Sequence, residues 1–282
     1  MRSIFRFVSY NLKQVFMSPK PYIVFFMIYG VIRIGLGGVN TYLTDHDQFI
    51  QVVELFIFAH SAVFFQIVFI LGLLFLIGDA PFLKEGMSLR LIRTSRSKWL
   101  VGQILSCIII AAIYLLVIEV LLVILCRNHI TFQNQWSDSI QLAAQVNVGG
   151  TVIHIKTAIY FSMEVLKAGS PYGMFLLTFV YNLLLYTTLS LVVITSNLRF
   201  ASGVGIFAVA MLIGEKLVQR YILPYRLLWN LSPCSVVCLC DQPITRSGIA
   251  YTILFLTTLC GCLILWSLRL VRTSDLLRRD YA

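Results

Sequence analysis

Six polar or charged side chains interrupt long apolar stretches of this chain, and their chemistry stands out. They are Glu119, Arg33, His60, Gln66, Tyr181 and Asn182. A polar group costs free energy in a hydrocarbon phase, so it is retained where it pairs with another group or serves a polar path. We predict these residues as candidates for a translocation pathway, with pairing between helices as the alternative. Glu215 and Lys216 are expected near the outer end of their stretch, close to water.

The stretch around Tyr181 and Asn182 also contains hydroxyl side chains. They are Tyr186, Thr187, Thr188 and Ser190. Hydroxyl groups in a helix usually bond to their own backbone or to a neighbouring helix, which is the ordinary interpretation of such a pattern. The alternative is that this face lines a cavity.

Residue types that support catalysis are scattered along the chain. The four histidines are not clustered, and neither a serine-centred elbow nor HExxH spacing is present. No glycine-rich stretch ends in Gly-Lys-Ser or Gly-Lys-Thr, so the chain has no phosphate-binding P-loop. We therefore predict no catalytic residue, no enzymatic activity and no cofactor in this chain, with an intramembrane enzyme as an alternative.

Cysteine spacing gives little evidence for a metal. Cys234, Cys238 and Cys240 form a C-x3-C-x-C pattern without an accompanying histidine, which is weak evidence for zinc. The odd total of seven cysteines argues against a complete set of disulfides. We predict buried thiols and no metal site, and oxidation between these three cysteines stays open.

Composition decides the class of protein. Of the 282 residues, 59% are hydrophobic and 12% are charged, and the mean hydropathy is +0.88. A soluble domain with these values would expose large apolar patches, so the chain is predicted to be an integral membrane protein. The net charge of +10 is then explained by membrane topology, and nucleic acid is not expected as a partner.

Apolar stretches near the roughly 20 residues needed to cross a bilayer recur along the chain. They lie at Pro21–Val39, Leu55–Gly78, Leu100–Cys126, Tyr172–Ser196, Ala201–Val218 and Ile249–Leu268. None alternates polar and apolar residues as a membrane barrel strand does. The fold class predicted is an all-α integral membrane protein, with residues 19–282 forming one domain of six transmembrane helices.

Lysine and arginine set the orientation. They concentrate in the N-terminal segment, in 79–99 and after the last apolar stretch, whereas 40–54 contains none. Basic residues collect on the cytosolic side of spanning helices. We predict a multi-pass protein of the cytoplasmic membrane with both termini in the cytosol.

Residues 1–18 are predicted to form an amphipathic helix in the inner membrane interface. Its apolar positions have helical spacing and its polar positions fall on another face: Ile4, Val8, Leu12 and Val15 against Arg2, Arg6, Ser9 and Lys13. Pro19 and Pro21 would end it before the first span. The alternative is a plain helical lead-in to that span.

Two long connections are predicted outside the membrane. Residues 127–171 mix polar and apolar side chains, and Gly149-Gly150 divides them into two short helices, which favours a folded cap over a disordered loop. Residues 219–243 contain apolar segments too short to span, so we predict two re-entrant half-helices, the second beginning at Pro233 with Ser232 as its cap. Such backbone needs cover from protein or a water-filled cavity, which predicts a gate or pore mouth beside the last span.

On the cytosolic side, the link around Leu198–Phe200 is very short, so spans four and five should form a tight antiparallel pair. The longer segment 79–99 is basic. Pro81 and Gly86 would interrupt the helix that leaves span two and allow a short helix, about Met87–Thr94, along the membrane surface.

This surface helix is the predicted docking site for a soluble partner. We expect its apolar side chains to enter a groove on the partner and its charged ones to surround the rim: Leu89 and Ile92, then Lys84, Glu85, Arg90 and Arg93. The alternative is that the basic residues neutralise anionic lipid headgroups.

With these elements in order, the chain resembles the permease subunit of an ABC-2 type ABC transporter. The string GDAPFLKEGMSLRLIRTSRSKWLVGQIL is similar to the stretch of bacterial ABC-2 permeases that contains the coupling helix and the start of the third span. The likeness in architecture covers most of the chain. The long connection 127–171 is a departure, because many such permeases lack it.

The resemblance implies a function and partners. It implies a homodimer, or a pair with a similar permease, in membrane lipid, and two cytosolic ATPase subunits that use ATP and magnesium. It further implies export of an amphipathic peptide, an antimicrobial or a hydrophobic drug-like molecule. Alternatives are a lipid or polysaccharide exporter, a channel or passive carrier, and a membrane anchor or sensor that recruits a cytosolic protein.

Overall fold

The structure is a computed structural model that describes residues 2–82, 95–149, 159–200, 203–222, 230–240 and 244–273. The predicted surface helix and the first re-entrant half-helix lie outside these residues. So do all the predicted docking residues, namely Lys84, Glu85, Leu89, Arg90, Ile92 and Arg93.

The described chain is almost entirely helical. In order, its elements are α1 Arg2–Phe16, α2 Lys20–Asp45, β1 Ile50–Gln51, α3 Glu54–Ser61, α4 Val63–Ile77, α5 Arg96–Leu125, β2 Ile130–Thr131, α6 Asp138–Gly149, α7 Met163–Ala168, α8 Pro171–Arg199, α9 Val204–Tyr221, α10 Pro233–Val236 and α11 Arg246–Thr273. The prediction of an all-α membrane protein is confirmed at this level.

Four of the described helices are long and apolar enough to cross a membrane: α2, α5, α8 and α11. A fifth candidate is the pair α3 and α4, taken together. Helix α9 is not among them, because its 18 residues include Glu215, Lys216 and Arg220. The described residues thus contain four to five candidate spans.

The predicted span over Leu55–Gly78 is divided into two helices, and α3 and α4 meet at an angle of 89°. The break is at Ala62, whose backbone is extended. Its N–H ends α3 by donating to the carbonyls of both Phe58 and Ala59, at 3.1 and 3.2 Å. Its own carbonyl accepts from the Gln66 N–H at 2.9 Å, and α4 begins there. Neither proline nor glycine marks this break in the sequence.

Helix α8 is the centre of the bundle. It is the most buried of the four long helices and packs against α11, α9 and α5. Three of its hydroxyl groups follow the ordinary interpretation: those of Thr187, Thr188 and Ser190 donate to carbonyls four residues earlier, at 2.7 to 2.8 Å. The buried Tyr186 hydroxyl has no partner among the described atoms. Thr188 also contacts the Cys260 thiol of α11 at 3.1 Å. These three hydroxyls find their acceptors within α8, and Thr188 also joins α8 to α11.

Helix α1 packs along the first turns of α5. Phe7 is buried there, and a Cβ atom added to Gly102 of α5 would lie 2.9 Å from the Phe7 Cβ, so the two helices are very close. The Asn11 amide donates to the Ser106 hydroxyl at 3.0 Å. The buried face therefore includes Phe7 and Asn11, two residues outside the apolar set expected from the sequence, and Ile4 is only half-buried.

The described parts of 127–171 are folded. Strand β2 pairs in parallel with β1, and α6 and α7 follow it. The carboxylate of Glu54, fully buried at the start of α3, accepts from the Ser137 N–H and hydroxyl, both at 2.7 Å, and from the Gln51 N–H at 2.9 Å. These bonds attach the segment to the broken pair, and we call this end of the bundle the cap end.

Helix α10 begins as the sequence predicts, with Pro233 in its first turn and Ser232 in the N-cap position. The capping hydrogen bond is not made, however, and the buried Ser232 hydroxyl has no partner among the described atoms. Proline has no N–H, and a helix of four residues offers few other free donors. The sequence predicted the N-cap position of Ser232 but not the absence of its capping hydrogen bond.

Helices α8 and α9 approach each other closely just after the short link between them. Gly203 has a φ of 95°, which favours glycine. A Cβ atom added to Gly205 would lie 2.6 Å from the Val193 carbonyl oxygen and 2.7 Å from its Cα, and both are backbone atoms. Gly214, on the same helix, has open space at the equivalent position.

We therefore expect Gly205→Ala to force α8 and α9 apart and to lower the free energy of unfolding by about 1–3 kcal/mol. Gly214→Ala is the matched control, and should be neutral or stabilising by up to about 1 kcal/mol because alanine is the better helix former. Thermal unfolding of both variants in one detergent would decide. Equal melting temperatures would contradict the close approach.

Candidate functional site

The ends of the predicted docking segment are bonded into the bundle. Asp79 forms an ion pair with Lys20 at the start of α2. The side-chain amide of Asn197, in α8, donates to the carbonyls of Ala80 and Gly78 at 2.6 and 3.3 Å. The Asn197 side-chain oxygen accepts from the Gly205 N–H of α9 at 2.9 Å. One side chain thus joins the segment to two helices.

Two further contacts complete this arrangement. The Phe82 N–H donates to the Gln103 side chain of α5 at 3.2 Å, and the Arg96 guanidinium donates to the Val271 carbonyl of α11 at 3.4 Å. Trp99 is fully buried. We call this end of the bundle the α1 end, and the whole set of contacts, over Gly78–Phe82 and Arg96–Trp99, the joint. These contacts connect the joint to α2, α5, α8 and α11, and through Asn197 to α9.

A buried lysine forms the second candidate site, about 18 Å along α9 from its first residue. Lys216 is only 3% exposed. Its ammonium donates to the side-chain oxygen of Gln66 and to the Cys234 carbonyl at 3.1 Å, and lies 2.8 Å from the Cys238 sulfur. The Gln66 amide also donates to the Cys234 carbonyl, at 3.0 Å. We call these four residues the Lys216 cluster.

The electrostatics of the Lys216 cluster are unusual, because the cation is held by neutral acceptors. Within the described residues, the ion pair found is that of Lys20 with Asp79, at the α1 end. A buried charge without a counter-ion depends on every hydrogen bond that it donates.

The neighbouring residues extend the cluster along α9 and α10. The Ser235 hydroxyl donates to the side-chain oxygen of Gln219 at 3.1 Å, and the Gln219 amide donates to Glu215 at 2.7 Å. The Ser235–Gln219 and Lys216–Cys234 bonds connect the start of α10 to α9, while Gln66 connects it to α4. The Lys216 cluster therefore joins the two places where the helical path is broken.

Of the six pathway candidates, only Gln66 belongs to this cluster. His60 is buried just before the break, where its Nδ1 contacts the Phe56 carbonyl at 2.9 Å and its Nε2 has no partner among the described atoms. Its ring lies between those of Phe56 and Phe69, with centroids 4.1 and 4.9 Å away. His60 packs as an aromatic residue beside the break.

Tyr181 and Asn182 are buried in α8. The Tyr181 hydroxyl donates to the Ile249 carbonyl of α11 at 3.5 Å, whereas the Asn182 amide donates within α8, to the Thr178 carbonyl at 2.9 Å. These contacts lie within α8 or join it to α11. The Asn182 side-chain oxygen is buried without a partner among the described atoms.

The two charged candidates lie apart. Arg33 is exposed on α2 and donates to the Tyr29 hydroxyl at 3.3 Å. Glu119 is half-buried on α5, and one of its carboxyl oxygens has no partner among the described atoms. Within the described residues, no hydrogen bond joins any two of the six candidates.

Sequence reasoning missed the central residue of the cluster. Lys216 was expected close to water, and this expectation is wrong, because its side chain is 3% exposed. The rule that singled out Glu119, a charge in an apolar stretch, applies equally to Lys216 and would have found it. Lys216 was passed over because it lies near the predicted end of its apolar stretch.

The cysteines are free thiols, and Cys234 and Cys238 are fully buried. In the part of the chain that the structure describes, no three histidine, cysteine or acidic side chains are grouped so that they could hold a metal. The chemistry of the Lys216 cluster is therefore hydrogen bonding to a cation.

Comparison with protein-family models, with curated proteins and with solved structures finds no match to this chain. The joint and the Lys216 cluster are therefore the basis of the proposed function.

The Lys216 cluster can be tested by Lys216→Met, which keeps the length of the side chain and removes the charge. We expect a loss of about 1–3 kcal/mol in unfolding free energy, because the Cys234 carbonyl and Gln66 lose a donor. Freed from this contact, α10 should open more often, and Cys234 and Cys238 should react faster with a membrane-permeant maleimide. The matched control is Lys167→Met, since Lys167 is an exposed lysine of α7. Equal maleimide rates in the two variants would contradict the role of Lys216.

Proposed function

We propose that this chain is the permease subunit of an ATP-driven ABC-2 type exporter. It moves an amphipathic peptide, an antimicrobial or a hydrophobic drug-like molecule outward across the cytoplasmic membrane. In this proposal the bundle has six spans, with α3 and α4 together as the second and α9 as the fifth, and both termini are cytosolic.

The observation that carries the proposal is the joint. A transporter driven by a separate motor needs a segment that receives force and is fastened to the helices that must move. The hydrogen bonds of Asn197, Gln103 and Arg96, with the Lys20–Asp79 ion pair, fasten 79–99 to α8, α5, α11 and α2. Asn197 extends the connection to α9 through Gly205.

The breaks provide helices that such force could rearrange. Helices α3 and α4 meet at 89°, and α10 is a single turn. Short packed segments can shift between discrete arrangements more readily than continuous helices, because fewer backbone bonds resist the movement. The Lys216 cluster joins these segments to α9, which the joint contacts through Gly205. Helix α9 is thus the proposed link between the force-receiving segment and the gate.

The energy source lies outside the chain. Since the sequence has no P-loop, ATP and magnesium belong to two cytosolic ATPase subunits docked on Lys84–Arg93. The permease pairs with a second copy or with a similar permease. The exposed Arg33 and the half-buried Glu119 are then pathway candidates between the two permeases, because a charge facing lipid is costly.

Docking is tested by the double variant Leu89→Ala with Arg93→Glu. We expect it to insert normally but to lose the partner ATPase on purification in mild detergent, because it removes an apolar anchor and reverses a rim charge. The measurements are the mass of co-purified ATPase per permease and the rate of ATP hydrolysis.

Arg246→Glu is the matched control for this test. Arg246 is exposed in the first turn of α11, and this places it at the cap end, opposite the joint. Retention of the ATPase by the double variant, at the wild-type stoichiometry, would refute docking on this segment.

A second test separates a transporter from a membrane anchor that only recruits a partner. Asn197→Asp keeps the acceptor for Gly205 but removes the donor to Gly78 and Ala80. We expect the ATPase to bind as before while ATP-driven export falls at least tenfold, because force no longer reaches α8. Thr187→Ala, which removes only a bond within α8, is the control. Normal export by Asn197→Asp would leave recruitment as the better account.

A further inference from the structure

An apolar groove opens on the side of the bundle just beyond the end of α1. Its volume is about 210 Å³. It is lined by residues of α1, α2, α4 and α5, including Phe16, Tyr22, Phe25, Leu76, Val117 and Ile118. An apolar cavity of about 150 Å³ already holds a benzene-sized molecule. The groove therefore has room for a substantial apolar group.

The walls of the groove offer almost nothing to a polar ligand. Apart from Tyr22 at its edge, the lining residue with a polar side chain is Tyr114, whose hydroxyl donates to the Phe69 carbonyl at 2.8 Å. The remaining lining side chains are aliphatic or aromatic. A hydrocarbon chain fits these walls, whereas a charged or hydrogen-bonding group does not.

The depth of the groove matches the acyl region of a bilayer. Helix α5 packs on the amphipathic α1 at Ser106, and the groove begins at Ile110, one turn further along α5. An amphipathic helix lies at the boundary between headgroups and acyl chains. Two of the residues that line the groove, Tyr22 and Phe25, are exposed. Its mouth thus faces lipid tails immediately below the headgroups.

The charge above the groove points to an anionic headgroup. Lys13 is exposed in the last turn of α1, one turn before Phe16, and its ammonium has no hydrogen-bond or ion-pair partner among the described residues. Helix α1 contains no acidic residue. Lys20, at the start of α2, adds a second positive charge that it shares with Asp79. An unpaired lysine near a membrane attracts anionic lipid.

From this geometry we infer that the groove holds one acyl chain of an anionic phospholipid, whose phosphate is bound by Lys13. The lipid belongs to the leaflet on the side of α1, and it fills the space between α1, α2 and α5. The inference needs only the membrane embedding of the chain and holds whether or not the protein is an exporter.

The bound lipid is tested by native mass spectrometry of the full chain. The protein is first reconstituted with equal amounts of phosphatidylglycerol and phosphatidylethanolamine and then extracted in mild detergent. We expect one retained phospholipid per chain, with phosphatidylglycerol favoured about fivefold, the effect of one basic side chain near the headgroup. Val117→Trp should fill the groove and abolish retention. Leu116→Trp is the matched control, because the neighbouring Leu116 is 52% exposed and lies outside the groove, so retention should be unchanged.

A surface variant keeps the test valid if Val117→Trp fails to fold. Lys13→Gln should still retain a phospholipid but lose the preference for phosphatidylglycerol. The inference is overturned if the wild type retains no phospholipid, if Val117→Trp retains as much as Leu116→Trp, or if Lys13→Gln keeps the preference. A change of oligomeric mass in Val117→Trp, with no change in bound lipid, would instead assign the groove to contact between copies.

Discussion

Everything in this bundle depends on one requirement: a polar group inside a membrane must find its partner within the protein. The Lys216 cluster is the clearest instance. Helix α10 is a single turn, so it offers few helical partners for its own carbonyls. The Cys234 carbonyl receives two donors instead, from Lys216 and Gln66, and the lysine finds its acceptors on Gln66 and Cys234. The cation and the Cys234 carbonyl therefore satisfy each other.

The same requirement shapes the joint at the α1 end. Where the chain leaves α4, the carbonyls of Gly78 and Ala80 have no successor in the helix, and the Asn197 amide satisfies both. The oxygen of the same side chain satisfies the first turn of α9 through Gly205. One side chain thereby satisfies three backbone groups and connects the end of α4 to α8 and α9. In the proposed function, the same contacts would also transmit movement.

Regular features were predictable, while contacts distant in sequence were not. Apolar length predicted helical spans over α2, α5, α8 and α11, and Pro233 predicted the start of α10. The break at Ala62 was not predictable, because its sequence, Ser61-Ala62-Val63, contains no helix breaker. The burial of Lys216 was missed because the residue lies near the predicted end of its apolar stretch, and its partner Gln66, 150 residues earlier in the chain, was not predictable. The docking residues of 84–93 remain a prediction from sequence alone.

The sequence by itself determined the solvent, since a chain that is 59% hydrophobic must bury its helices in lipid and satisfy their backbones internally. It also determined which side chains would be costly there. Only the tertiary structure decided how each of these side chains is accommodated. Gln66 accepts a hydrogen bond from Lys216, His60 packs between two aromatic rings, and Arg33 stays exposed. The physical reason is the distance along the chain over which each property acts. Hydropathy and helical spacing are local properties, whereas the partner of a buried polar group is chosen by the packing of distant helices.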